Sequence, residues 1–273
     1  MQSSILVAFW LIVGLISFSI SATIRADPTN VGIDIAIPRD YTRQQYMKSI
    51  IDFWTPERTA SVISAEPIIT KMQRVPFSGN DKYSGVERIL TPSTFAEGIR
   101  NAKPTAAGRA FFVMNDKTYV CSGSVVNAAN RDTVVTAVFI PQYHSGERPV
   151  GTFAGSYLTT KKQYIDKADY NFDVAIVTMD VNEEGDHIQD VVVAFGISLN
   201  ASTKSEVNAF GFPMNINNGE TMSTCAGTSA KPSLFLMPSF SGMQIKCGMG
   251  GGSSGGPWLQ NSTLILYQAR KSQ

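Results

Sequence analysis

Charge is scarce in this chain: Asp, Glu, Lys and Arg together make up 16% of its residues, and the formal net charge is +1. A balance that close to neutral, without clusters of Lys or Arg, gives no electrostatic reason to expect nucleic acid or an anionic membrane as a partner. Histidine is scarcer still. His144 and His187 are the two in the chain, and the three cysteines stand at positions 121, 225 and 247. These residues offer no zinc spacing, and no phosphate loop or dinucleotide fingerprint occurs. Asp180-Val181-Asn182-Glu183-Glu184-Gly185 begins like a calcium loop, but its twelfth position is Val191 rather than Glu. No metal and no cofactor are therefore expected. The chain also lacks an apolar run of spanning length, because Ile5 to Ile20 is a block of sixteen residues. Followed by Ser21, Ala22 and then polar Thr23, Arg25 and Asp27, it reads as a secretory signal peptide over residues 1–22. The expected location is extracellular, with no membrane attachment once that segment is removed. Nothing in the composition sets the oligomeric state.

Glycine, at 22 residues, and short runs of Val, Ile, Tyr and Phe dominate what remains. Strands are predicted over Ala110 to Met114, Thr118 to Val126, Thr133 to Val138, Gly151 to Leu158, Asp173 to Met179, Val191 to Ile197, Val207 to Phe212, Leu234 to Leu236 and Leu264 to Tyr267. Gly, Pro, Asn or Asp turns separate them, without helical patterns between, so an all-β barrel or sandwich is expected. Residues 23–108 have a different texture. Asp40 or Thr42 can cap a helix carrying Met47, Ile50, Ile51 and Trp54 at helical spacing. Thr55-Pro56-Glu57 then reads as the start of a second helix.

One stretch organises the rest: Gly248-Met-Gly-Gly-Gly-Ser-Ser-Gly-Gly-Pro-Trp-Leu259. Such a glycine density excludes a helix or ordinary strand, because glycine is used where backbone takes positive φ or approaches another group closely. A hydroxyl set in such a turn can be presented outward with neighbouring N–H groups aimed at one point. Acyl transfer needs that arrangement: a nucleophilic Oγ and donors for the oxyanion it creates.

Gly252-Ser253-Ser254-Gly255-Gly256-Pro257 resembles the Gly-Asp-Ser-Gly-Gly-Pro loop of chymotrypsin-like serine endopeptidases, with Ser253 in place of the aspartate, a departure shared with the glutamyl-endopeptidase-like microbial branch. The resemblance implies two stacked six-stranded barrels with the site in their cleft. It makes Ser254 the nucleophile and the N–H groups of Gly252 and Ser254 the oxyanion hole. Asn171-Phe172-Asp173-Val174-Ala175 matches the strand that supplies the triad acid, which makes Asp173 the residue expected to orient a histidine. The same loop also fits the Gly-x-Ser-x-Gly of α/β-hydrolases, but Gly255 to Gln273 holds no Asp, Glu or His to complete that order.

The third family motif is defective. Cys121-Ser122-Gly123-Ser124 and Thr136-Ala137 resemble the segment leading into Thr-Ala-x-His-Cys, yet Val138-Phe139-Ile140-Pro141 follows. In register Phe139 stands where the base belongs, and a deletion between Ala137 and Val138 is preferred to a point replacement. The deletion also accounts for Cys121, whose family partner is the cysteine after the missing histidine, while Cys225 and Cys247 are expected to bridge. His144 and His187 are read as solvated surface residues, with His144 kept as a replacement base. Trp54-Thr55-Pro56-Glu57-Arg58 resembles leaders of secreted proteases, so residues 23–108 are expected to be a pro-region and 109–273 the protease domain. The nineteen residues after Ser254 are fewer than a second barrel needs, so an incomplete barrel is expected.

The resemblance thus implies a secreted serine endopeptidase-family protein acting on protein or peptide substrates through an acyl-enzyme on Ser254, impaired or inactive for want of the triad histidine. A pseudoprotease that binds peptides or inhibitors, and an incomplete splice or gene-model form, are the alternatives.

Overall fold

The structure, a computed structural model, describes residues 29–64, 103–135, 138–198, 202, 204–231 and 240–260. The signal segment, the expected strands at 234–236 and 264–267, and the pair Thr136-Ala137 lie outside these residues.

The N-terminal part folds as its caps dictate. β1 (Asn30–Asp34) precedes α1 (Arg43–Phe53), where Thr42 accepts from the Gln45 N–H and the Gln45 side chain accepts from the Thr42 N–H, closing a capping box. The apolar stripe Met47, Ile50 and Ile51, with Trp54 just beyond, is buried. Thr55 caps α2 (Pro56–Ala60), with proline in the first turn. A short β2 (Ile63–Ser64) follows.

Eight-residue strands β3 (Ala107–Met114) and β4 (Lys117–Ser124) form a hairpin whose turn residues Asn115 and Asp116 both have positive φ, the backbone that a two-residue hairpin turn requires. With β2 and β6 (Val138–Pro141) they make a four-stranded sheet in the order β2-β4-β3-β6. A second sheet runs β1-β7-β8-β5, with β5 at Thr133–Val134, β7 at Gly155–Lys161 and β8 at Ala175–Met179. The third, β10-β9-β11, joins β9 (Glu206–Gly211) to β10 (Ser223–Thr228) and β11 (Trp258–Gln260). Short helices α3 (Lys162–Lys167) and α4 (Ile188–Val191) fill connections.

Two apolar clusters hold the molecule together. One gathers α1 and Trp54 onto Phe111, Val120, Ile140 and Phe212; the other packs Phe139, Phe153, Val134, Val177 and Ile188. These clusters explain two departures from the expected strands. Thr133 to Val138 is not one strand: β5 pairs with β8 in one sheet, while Val138 enters β6 in another. Val191 to Ile197 is not a strand either. It leaves α4, buries Val192, Ala194 and Phe195 in the second cluster, and pairs through an isolated bridge between Phe195 and Val126, just beyond the end of β4. Val192, Ala194 and Phe195 plug the core while Val193 and Ile197 stay exposed, a pattern that local periodicity cannot distinguish from a strand. The expected Cys225–Cys247 disulfide is present, and Cys121 stays outside it on β4. No helix among the described residues is long and apolar enough to cross a membrane.

Candidate active site

The glycine turn is built by its neighbours. Gly252 and Gly255 take φ of +98° and +85°, values that a side chain would resist. Space forbids one as well: a Cβ on Gly252 would lie 2.7 Å from the Phe212 carbonyl oxygen, and one on Gly255 2.3 Å from that of Ser122. Ser122, buried on β4, is the central strut. Its N–H donates to the Ser254 carbonyl at 2.8 Å, its Oγ donates to the Gly252 carbonyl at 2.9 Å, and the same Oγ accepts from the Phe212 N–H at 2.8 Å. Ser124 Oγ donates to the Gly255 carbonyl at 2.9 Å, and the Met214 N–H to the Gly251 carbonyl at 2.8 Å. With the carbonyls of the turn held from behind, the N–H groups of Gly252 and Ser254 make no hydrogen bond to a described residue. Ser254 itself is exposed. The turn therefore sets an exposed serine beside two backbone N–H groups without a described partner, that of Gly252 being in a buried residue.

A buried ion pair anchors the wall behind this turn. Arg109 on β3 is 1% exposed, and its guanidinium donates to Glu220 Oε1 at 2.6 Å and to the Asn218 carbonyl at 3.0 Å. Tyr143 donates to the other Glu220 oxygen at 2.7 Å, and its ring lies 4.8 Å from the guanidinium carbon. The segment so fixed carries Phe212, Met214 and Asn215, and the Asn215 side chain holds the Gly248 carbonyl and the Gly250 N–H, each at 2.8 Å. Sequence reading missed Arg109 and Glu220, since residues 111 apart in the chain carry no local signal of contact.

Asp173 sits at the head of β8, just after a 3-10 turn at Tyr170–Phe172. β5 runs antiparallel to β8, so its end points toward Asp173, and the Val135 carbonyl just beyond it lies 3.4 Å from the Cβ position of Gly255. Asn171 reaches from the same turn to Ser241, accepting from its N–H and its Oγ, both at 2.7 Å. No hydrogen bond joins Asp173 to Ser254 among the described residues. The Tyr164 phenol is the titratable neighbour that bears on the carboxyl. Asp173 is exposed as a residue, yet loss of hydration at the carboxyl raises its pKa, with Tyr164 acting in the opposite direction.

Neither histidine answers the acid. His144 lies exposed in a turn closed onto Glu147, and its ring makes no hydrogen bond to a described residue. His187 corrects the expectation of a solvated surface residue: its Nδ1 lies 2.5 Å from Oδ2 of the buried Asp132. Asp132 precedes β5, while the serine turn approaches the Val135 carbonyl past the other end of that strand. Phe139 is fully buried, exchanging both backbone hydrogen bonds with Phe153 at 2.9 Å. It is a core residue of β6 rather than a stand-in for a base.

No family model and no curated protein matches the sequence. Solved structures do. The protease Anisep from Arthrobacter nicotinovorans is 32% identical with a TM-score of 0.54, the match covering 57% of this chain and 78% of that one. A thermostable serine protease, AL20, from an extremophilic microorganism is 31% identical with a TM-score of 0.53, covering 59% and 81%. These likenesses define an all-β protease-like body. The chain belongs to the chymotrypsin-like serine protease family.

Proposed function

We propose that this chain is a secreted serine endopeptidase-family protein that receives protein or peptide chains at the Ser254 turn and turns them over poorly or not at all. The observation that carries this reading is the pair of donors left without a described partner, Gly252 and Ser254 N–H, at an exposed Ser254 with which no imidazole forms a hydrogen bond. In this reading Ser254 Oγ is the nucleophile, the two N–H groups stabilise the oxyanion, and Asp173 is the acid that lacks a base to orient. Loss of one triad member leaves about 10³–10⁴-fold acceleration over water from the oxyanion hole and binding, so turnover at neutral pH is expected to be marginal. Secretion rests on the apolar leader Ile5 to Ile20 and on the Cys225–Cys247 bridge, since disulfides persist in oxidising compartments.

Labelling of the folded chain with a fluorophosphonate, beside Ser254→Ala, tests this. Little or no labelling is expected, and rapid labelling confined to Ser254 would show that a base does act and would defeat the claim of impairment. The reading as a non-catalytic binder is favoured by the serine turn itself, which Ser122, Ser124 and Met214 hold together without a base. Retention of peptides or protease inhibitors by an unlabelled, folded chain decides for it.

A further inference from the structure

Three consecutive peptide planes of the serine turn are each held through the carbonyl, and two of them carry the N–H groups of Gly252 and Ser254. A trans peptide sets its C=O and N–H on opposite sides of one plane, so whatever holds the carbonyl also aims the amide. The Gly251 carbonyl accepts from the Met214 N–H at 2.8 Å, which turns the Gly252 N–H away from Met214. The Gly252 carbonyl accepts from Ser122 Oγ at 2.9 Å. The Ser253 carbonyl accepts from the Gly256 N–H at 3.1 Å, which aims the N–H of Ser254. Two side chains brace this run. Asn215, next to Met214, donates from Nδ2 to the Gly248 carbonyl and accepts on Oδ1 from the Gly250 N–H, both at 2.8 Å. A Cβ on Gly250 would lie 2.9 Å from that Oδ1, so the glycine lets the amide close in. Ser253 fastens the other side of Gly250: its Oγ donates to the Gly250 carbonyl at 2.7 Å, and its N–H to the same oxygen at 3.3 Å. Gly250 is thereby gripped at both of its polar groups, one residue before Gly251.

Resting on the reading of the Ser254 turn given above, we infer that Asn215 and Ser253 are positioning residues of its oxyanion donors, holding Gly250 so that the Gly252 and Ser254 N–H groups keep one direction. Asn215 is the anchor from outside the turn. Its own segment is tied to the buried Arg109, which donates to the Asn218 carbonyl at 3.0 Å and to Glu220 at 2.6 Å. Ser253 closes the lock from within, and it is closely seated: a Cβ on Gly211 of β9 would lie 3.0 Å from the Ser253 Cβ. The lock consists of an amide, peptide groups and a hydroxyl, all neutral, so it needs no counter-charge and does not titrate. Donors aimed in advance cost no reorganisation at the moment negative charge develops on a carbonyl oxygen.

The test uses Ser254→Cys in the full chain, because a thiolate attacks without needing a base beside it. Two reagents are compared at position 254. With p-nitrophenyl acetate the sulfur bonds to the carbonyl carbon, an oxyanion forms and p-nitrophenolate leaves. With iodoacetamide the sulfur bonds to the methylene carbon, iodide leaves and no oxyanion forms. Both reactions consume the thiolate, so the ratio of their rates cancels the ionisation of the thiol, and peptide mapping separates position 254 from Cys121. The ratio of acylation to alkylation should be higher in the folded chain than in urea. Asn215→Ala and Ser253→Ala should each lower it on the order of tenfold, less than the roughly 10²–10³ lost when an oxyanion donor is removed outright. Asn215 is exposed, so Asn215→Ala spares the core and keeps the test standing if Ser253→Ala does not fold. A ratio unmoved by Asn215→Ala, or by a folded Ser253→Ala, overturns the positioning role. If folded and unfolded chains give the same ratio, the reading of the turn as an oxyanion hole fails and the positioning role falls with it. Amide hydrogen exchange, in which Asn215→Ala should quicken the Gly250 N–H, still judges the clamp alone.

Discussion

At the scale of single residues, function and stability pull against each other at Asp173. Its carboxyl is raised above the ordinary 3.8 by loss of hydration. Between that value and its native one the folded chain holds the proton more tightly than the unfolded chain does, so stability falls as pH rises through this window and stays lower above it. Asp173→Asn keeps the shape of the side chain and removes the charge. Its thermal midpoint at pH 7 is expected to exceed that of wild type, by less than about 1 kcal/mol because an exposed charge is screened, and the advantage should vanish below pH 3.8. A variant that is less stable at pH 7 would contradict the burial argument. Gly255 gives the opposite case: with φ at +85° and the Ser122 carbonyl 2.3 Å from a would-be Cβ, Gly255→Ala should cost at least about 2 kcal/mol in urea unfolding. The glycine turn was legible in the sequence because its residues answer a local backbone demand. The place of Tyr164 was not, since it meets Tyr170 only after Ala168 reverses the chain.

At the scale of elements, local chemistry was readable and tertiary partnership was not. Thr55 caps where expected, and of the two residues open for the first helix Thr42 rather than Asp40 is the cap, because a cap is decided within four residues. The split of Thr133 to Val138 between two sheets depends on which core each valine enters, which no window of residues reveals. The Arg109–Glu220 pair is the clearest tertiary element, and burial makes its two ends unequal. Arg109 is buried while the Glu220 side chain is 27% exposed. Removing the acid strands a cation in the interior, whereas removing the cation leaves an acid that Tyr143 and water can serve. Glu220→Gln is therefore expected to lower stability by about 3 kcal/mol, and Arg109→Met by clearly less, in denaturant midpoints measured at one pH. Equal losses would mean that the pair acts by packing rather than by charge.

For the whole molecule, the segment before β3 is woven into the body. β1 pairs with β7 over five residues, β2 adds to β4, and Met47, Ile50, Ile51 and Trp54 share a cluster with Phe111, Val120 and Phe212. The Arg148 guanidinium donates to the Trp54 carbonyl, and Arg43 pairs with Asp180 at 2.7 Å. Four large apolar side chains, at about 1.5–3 kcal/mol each when buried, contribute roughly 6–12 kcal/mol, as much as a whole domain usually has in reserve. Phe212 belongs to this cluster, and its backbone N–H bonds the Ser122 hydroxyl that holds the Gly252 carbonyl, so the core under α1 continues into the support of the serine turn. A pro-region that is discarded must leave a body able to stand without it, and this packing argues that the segment stays bound after any cut upstream of β3. A chain beginning at Lys103 should therefore lack a cooperative unfolding transition, and adding a peptide of residues 29–64 should restore one together with the near-ultraviolet signal of the buried aromatics. A shortened chain that unfolds cooperatively with the full chain's midpoint would show instead that the segment is a removable pro-region.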